Sequence, residues 1–352
     1  MAVTMEEIAK AAGVSRGTVD RALHDRPGVS AKSADRIKKL STQLDYKPNV
    51  AGRILSNKNL RKRIGVITNS ENNPFYIPVF QGMQTAIDEI SGFGFEVSRL
   101  TAAGFDVERQ LWQIEKLVQG GIDALVFTPI NSPKIISRIN RLSARGMPIV
   151  TINTGLNAKH MIYVGCDYEM SGETAGGLMG MMSVGRECRV GVITGSEDVE
   201  AHFFRVRGFC KCLAKEFPNV MVMGVRENND RDDLAYEYVK EFLTCDEPAN
   251  AIFLAAAGQA GVIQALDELQ MTGKVLTVMY DLTPVVVEGL WSGAVSAAIT
   301  QDPFQQGYRP IRILYDYFVH SIVPEEKKIY TDVAVKLKYN IACDSRALFT
   351  KE

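Results

Sequence analysis

The sequence predicts an α/β protein in two parts. A basic three-helix module with a helix-turn-helix comes first, and a larger two-lobed body of parallel sheets covered by helices follows. Three observations lead there. Residues 1–63 carry 14 Lys and Arg against 6 Asp and Glu, net +8, while the remainder carries 26 against 35, net −9. Apolar residues in the first part recur at helical spacing, interrupted by Gly13 and by Asp25-Arg-Pro-Gly28. From Ile64 onward short apolar runs alternate with amphipathic stretches, and one run occurs twice, as Arg63-Ile-Gly-Val-Ile-Thr-Asn69 and as Arg189-Val-Gly-Val-Ile-Thr-Gly195.

Composition narrows the function classes. A length of 352 residues implies two or three domains, and 46% hydrophobic with 23% charged residues is ordinary for a soluble globular chain. The N-terminus has no basic stretch followed by an apolar run, so no secretory signal is expected. No apolar segment approaches the roughly 18 residues of a membrane span. The small-residue run Gly176-Gly-Leu-Met-Gly-Met-Met182 is too short for one and reads as tight helix packing. Six cysteines stand at 166, 188, 210, 212, 245 and 343. Cys210-x-Cys212 is neither a zinc pair nor a redox motif, so these are expected to be reduced thiols in a cytoplasm. The four histidines are scattered, and neither metal nor cofactor is expected. The first strand leads into Asn69-Ser-Glu-Asn-Asn-Pro74 rather than a glycine-rich phosphate loop. With no nucleophile elbow and no clustered triad either, the chain does not read as an enzyme.

The elements of the first part follow from local signals. Thr4-Met-Glu-Glu7 is a capping box, and Ile8, Ala11 and Ala12 give the first helix an apolar face. Gly13 ends it, because glycine takes positive φ without strain. Ser15 caps the second helix, with Val19, Ala22 and Leu23 inward, and the short link makes a helix-turn-helix. Ser30 caps a third helix in which Ile37, Leu40 and Leu44 pack at helical spacing. The unpacked face of the second helix carries Arg16, Thr18, Asp20 and Arg21. Such a face can enter a major groove, where arginine pairs bidentately with guanine, or it can be the solvated side of an ordinary helical bundle.

The stretch Val3-Thr-Met-Glu-Glu-Ile-Ala-Lys-Ala-Ala-Gly-Val-Ser-Arg-Gly-Thr-Val-Asp-Arg-Ala-Leu23 resembles the N-terminal headpiece of the lactose-repressor (LacI/GalR) family. Tyr46-Lys-Pro-Asn49 and Ala51-Gly-Arg-Ile-Leu55 resemble that family's hinge. The resemblance implies that Arg16 and Gly17 occupy the two base-reading positions, so that Arg16 carries the readout alone. Asp20 stands where the family has Ser, and Arg21 keeps the family's arginine. It further implies that residues 49–56 fold on DNA as a paired hinge helix, with Leu55 wedged into the minor groove and Arg53 beside it. An isolated helix of eight residues is too short to be stable, and Gly52 costs about 1 kcal/mol against the family's Ala. The DNA-binding set so implied is Thr4, Ser15, Arg16, Gly17, Thr18, Asp20, Arg21, Ser30, Asn49, Arg53 and Leu55.

In the body, strands are expected at Ile64–Thr68, Glu96–Leu100, Ala124–Thr128, Ile149–Ile152, Val190–Thr194, Val220–Val225, Ala251–Leu254 and Val275–Tyr280. Helices lie between them, such as Pro78–Ile90 and Val107–Gln119. Alternation of this kind makes parallel sheets, and the repeated run makes two halves with a cleft between them. Ligands of open α/β sheets bind beyond the carboxyl ends of the strands. Asn69-Ser-Glu-Asn-Asn-Pro-Phe-Tyr76, Arg205-Val-Arg-Gly208, Tyr280-Asp-Leu-Thr-Pro284 and Ile299-Thr-Gln-Asp-Pro303 are similar to ribose-type members of the type I periplasmic sugar-binding proteins.

That resemblance implies a periplasmic-binding-protein-like body. It places ligand contacts at Asn69, Asn73, Phe75, Tyr76, Asn153, Thr154, Arg205, Asn229, Ala256, Asp281 and Gln301. Thr154 stands in place of an Arg, Asn229 of a Phe and Ala256 of an Asn, so the ligand is not ribose. Asp281 and Arg205, charged and set on opposite walls, would hold hydroxyls, and Phe75 or Tyr76 would cover a sugar's apolar face.

The division expected is a headpiece at 1–47, hinge helix and linker at 48–62, and a body at 63–352. Its near lobe takes about 63–166 and 302–329, and its far lobe about 167–301 and 330–352. The function expected is a cytoplasmic, nucleoid-associated, sequence-specific transcriptional repressor of operator DNA, controlled by a small polar effector such as a sugar or polyol. No leucine heptad follows the body, so a homodimer is expected rather than a tetramer, with no membrane partner. The competing readings are a solute-binding transport component and a ligand-independent DNA-binding protein.

Overall fold

The computed structural model describes residues 5–23, 28–44, 61–68, 73–102, 104, 106–197 and 199–341. The chain forms two compact units, Met1–Arg61 and Lys62–Glu352.

In the first unit α1 (Met5–Ala12), α2 (Arg16–Leu23) and α3 (Ala31–Gln43) enclose a small core of Ile8, Ala9, Ala12, Val19, Ala22 and Ile37. Gly13 ends α1 at φ +65 with open space where a side chain would stand. Its N–H bonds the Lys10 carbonyl (3.3 Å), and the Val14 N–H bonds that of Ala9 (3.0 Å). Two inward residues differ from expectation. Ala9 is buried and Ala11 exposed, because α1 turns Ile8, Ala9 and Ala12 inward together. Leu44 is 37% exposed because α3 stops at Gln43, and Leu44 is its terminal cap.

The second unit holds two six-stranded sheets. One contains β1 (Lys62–Thr68), β2 (Phe95–Thr101), β3 (Ala124–Phe127), β4 (Ile149–Ile152), β5 (Ile162–Gly165) and β11 (Lys328–Tyr330), in the order β11-β5-β4-β3-β1-β2 and all parallel. The other contains β6 (Cys188–Thr194), β7 (Val220–Glu227), β8 (Ala251–Leu254), β9 (Leu276–Tyr280), β10 (Ala297–Thr300) and β12 (Ala334–Lys336), in the order β12-β10-β9-β8-β6-β7. Only β12 is antiparallel there. The repeated run forms β1 and β6, which occupy the same place in their sheets. The central strands are buried on both faces, which is why β3 and β8 read as unbroken apolar runs.

Helices cover the sheets: α4 (Tyr76–Ile90), α5 (Val107–Gln119), α6 (Pro133–Ala144), α7 (Tyr168–Met182), α8 (Glu200–Glu216), α9 (Asp232–Thr244), α10 (Gln259–Glu268), α11 (Pro284–Ser292) and α12 (Pro303–His320). No helix among the described residues is long and apolar enough to cross a membrane. The glycine-rich run lies in α7, which packs against α8 almost backbone to backbone. A Cβ on Gly172 would stand 2.2 Å from the Arg205 carbonyl, and one on Gly208 would stand 2.2 Å from that of Glu169.

The chain passes between the sheets three times, after β5, after β10 and after β11. A buried network ties these passages together. The Gln301 carbonyl accepts from Gln306 Nε2 (3.0 Å) and Thr331 Oγ1 (2.8 Å), and the Thr331 N–H donates to the Gly165 carbonyl (2.8 Å). Gln301, Gln306 and Thr331 are all buried, so these bonds form a defined pivot beneath the cleft.

Candidate functional site

On the first unit, α2 begins with Ser15 as its cap. The Ser15 Oγ accepts from the Thr18 N–H (3.2 Å) and lies 2.9 Å from Thr18 Oγ1. Arg16, Gly17 and Arg21 are exposed along this helix, while Thr18 and Asp20 are half-buried. A Cβ at Gly17 would meet nothing nearer than Ser15 Oγ at 3.8 Å, so packing does not require a glycine there. Ser30, also exposed, caps α3 by accepting from the Ser33 N–H (3.3 Å). Thr4, Asn49, Arg53 and Leu55 lie outside the described residues, as does Asn69.

On the second unit, a cleft of about 710 Å³ lies at the carboxyl ends of both sheets' strands. The other ten expected ligand residues line it: Asn73, Phe75, Tyr76, Asn153 and Thr154 from one lobe, Arg205, Asn229, Ala256 and Asp281 from the other, and Gln301 at a passage between them. Local backbone geometry aims several of these side chains. Asn153 follows β4 at φ 60, Asn229 follows β7 at φ 51, and Asp281 follows β9 at φ 64. Asn and Asp tolerate this left-handed turn better than other side chains, which accounts for their recurrence at strand ends.

The near wall is aromatic and uncharged. Phe75 and Tyr76 are buried and meet edge to face, with ring centres 5.2 Å apart. The Tyr76 hydroxyl donates to Thr128 Oγ1 (3.3 Å), and burial pushes it up to about 12. The Asn73 side-chain oxygen accepts from the Phe75 N–H (3.0 Å), fixing the turn that presents both rings.

The far wall is charged. The buried Arg205 guanidinium lies 3.8 Å from the Tyr280 ring centre and donates from Nη1 to the Ala255 carbonyl (2.9 Å). Asp281 accepts from Gln301 Nε2 (2.9 Å). Burial pushes its carboxyl up, against the opposing pull of Arg205 and of that bond. Arg205 and Asp281 are therefore neighbours on one wall, which corrects the expectation of opposite walls. Arg205 Nε, Thr283 Oγ1 and Gln301 Oε1 are buried at the cleft with no hydrogen-bond partner among the described residues. Unpaired buried groups converging on one cavity are polar sites held ready for a ligand.

Comparison with known proteins places both units. Residues 4–49 match the bacterial regulatory proteins of the lacI family, and residues 64–320 match the periplasmic binding protein domain. The chain belongs to the LacI family of bacterial regulatory proteins. Two LacI-type relatives illustrate its range. The HTH-type transcriptional regulator DegA of Bacillus subtilis is 26% identical over 60% of this chain and 61% of DegA. Catabolite control protein A of Priestia megaterium is 23% identical over 76% of this chain and 78% of its own. The match thus spans about three fifths of the first relative and about four fifths of the second. A transporter solute-binding protein from Burkholderia graminis, solved with D-arabinose, superposes with a TM-score of 0.74 at 22% identity, over 81% of this chain and 98% of that one. That likeness shows the fold of the LacI-type body.

Sequence reading missed six polar residues of the cleft: Thr128, His202, Asp230, Asp232, Gln259 and Thr283. His202 was findable, because it stands one helical turn before Arg205 on the same face of α8. Burial holds its ring down at about 4, against the pull of Asp230, so His202 is neutral at pH 7.

Proposed function

We propose that the chain is a cytoplasmic transcriptional repressor that binds operator DNA as a homodimer and changes its affinity when a small sugar or polyol occupies the cleft. One observation carries the effector reading: polar residues from the strand ends of both lobes, together with an aromatic near wall, line a single cleft of ligand size. The relatives named as transcriptional regulators and the arabinose-bound structural neighbour support DNA as one partner and a sugar as the other. A ligand touching both lobes favours a closed body, and the segment 48–62 joins that body to the DNA-reading unit in the chain. The ligand shifts DNA affinity only as far as it distinguishes the open from the closed body.

Selection of random duplexes on the full-length chain tests the DNA half. The expected product is a pseudo-palindrome bound by two chains, since two-fold protein symmetry is mirrored in the site. Arg16→Ala should relax preference at one base position of each half-site, costing about 1–3 kcal/mol. A monomer holding one non-repeated site at full affinity would refute the dimer.

A further inference from the structure

The His202 ring lies on the far wall of the cleft. Its Nδ1 accepts a hydrogen bond from the Ser196 main-chain N–H (3.1 Å). A backbone N–H only donates, so Nδ1 is the unprotonated nitrogen and the proton of the neutral ring sits on Nε2. Nε2 faces Asp230 Oδ1 at 3.9 Å, too far for a direct hydrogen bond. Asp230 is itself fixed, by a left-handed backbone (φ 59) and by the Ala257 N–H, which donates to the same oxygen (3.1 Å). A donor and an acceptor are thus held across a gap that one oxygen fills at ordinary bond lengths of about 2.8 Å to each.

We propose that the His202–Asp230 gap is a hydroxyl-specific subsite, and that the effector is an uncharged polyol whose hydroxyls reach this subsite as well as Arg205 and Asp281. The inference rests on the cleft being the effector site and names the class of ligand it takes. A hydroxyl accepts from Nε2–H and donates to the carboxylate at once. An ammonium has no lone pair for Nε2–H. A phosphate or carboxylate has no proton for Asp230 and meets its negative charge. The rest of the lining agrees. Arg205 is the only Lys or Arg lining the cleft among the described residues and lies close enough to Asp281 to feel its charge, while Asp230 and Asp232 add negative charge. The site therefore selects against phosphorylated and oxidised sugars.

Titration calorimetry on the full-length chain tests this, with D-glucose, D-galactose, D-arabinose and myo-inositol as probes. At least one should bind, and its phosphorylated or carboxylated form should bind about tenfold more weakly or worse. Monodeoxy analogues of the bound probe should include one position whose loss costs about tenfold in the wild type but nothing in Asp230→Ala, because the partner of that hydroxyl is then already gone. His202→Leu should weaken the parent probe by a similar factor, and Asp230→Asn should restore part of the loss seen in Asp230→Ala. The Asp230 side chain is 38% exposed, so its replacement empties no core and remains decisive if His202→Leu does not fold. Three results overturn the subsite: unchanged affinity in Asp230→Ala, the same deoxy penalties in variant and wild type, or a phosphorylated form binding as well as its parent. If a probe is lost in Asp281→Ala yet unchanged in Asp230→Ala, the subsite alone falls. If no neutral probe binds the wild type, the effector reading of the cleft falls with it.

Discussion

Arg205→Met is expected to abolish polyol binding and to cost the body about 1–3 kcal/mol of stability, because it leaves a buried carbonyl without its donor and Asp281 without a nearby positive charge. Methionine fills most of the volume but leaves the Ala255 carbonyl without its 2.9 Å donor and Asp281 without its counter-charge. The sign of the pH dependence follows from Asp281. Its folded carboxyl already titrates above its ordinary value, and removing the arginine raises it further. A carboxyl raised on folding costs stability at high pH and stops costing it as pH falls through the folded value. The deficit of Arg205→Met relative to the wild type should therefore shrink as pH is lowered from 7, and adding Asp281→Asn should recover part of it. Denaturant melts at several pH values read both effects. A variant that melts like the wild type and binds the same sugar would remove Arg205 from the site.

The second large effect lies away from the ligand. In the packing of α4 against α12, a Cβ on Gly307 would stand 1.8 Å from the Val79 carbonyl, and one on Gly82 would stand 2.0 Å from that of Phe304. These are backbone contacts, with no flexible side chain to move aside. Gly307→Val must separate the two helices and should cost more than about 3 kcal/mol, leaving little soluble protein. The damage should reach the cleft, since neighbouring Gln306 bonds the Gln301 carbonyl at the pivot. Gly92→Ala is the control, because nothing stands within 4 Å of a Cβ there. It should melt within about 2 °C of the wild type. Thermal melts of both variants give the comparison, and a Gly307→Val protein as stable as the control would contradict the close-packed interface.

Most of the architecture was legible because parallel strands buried on both faces leave continuous apolar runs, as at Ala124–Phe127 and Ala251–Leu254. The strands not expected, β5, β10, β11 and β12, are three or four residues long. β11 and β12 are only partly buried and carry Lys328, Lys336 and Tyr330, so no apolar run marks them. Their identity depends on the chain returning to each sheet, which is a tertiary fact. The resemblance located the strand-end positions Asn153 and Asp281 and the helix residue Arg205, and these line the cleft. It located neither His202, which the resemblance to ribose-type binders does not single out, nor the pairing of Arg205 with Asp281 on one wall. The second depends on how α8 is set against β9, which residue spacing does not encode, whereas His202 lay within reach of spacing, one helical turn before Arg205.

The central claim is that occupancy of the cleft changes DNA affinity. Its most direct test is a titration of the selected operator with full-length chain, with and without the polyol identified by calorimetry, for the wild type and for Asp281→Ala. The wild type should shift its midpoint by about 5- to 150-fold, the range of a coupling of 1–3 kcal/mol, and Asp281→Ala should show no shift at the same polyol concentration. A wild-type midpoint that stays put at saturating polyol, or an Asp281→Ala protein that shifts as the wild type does, would contradict it.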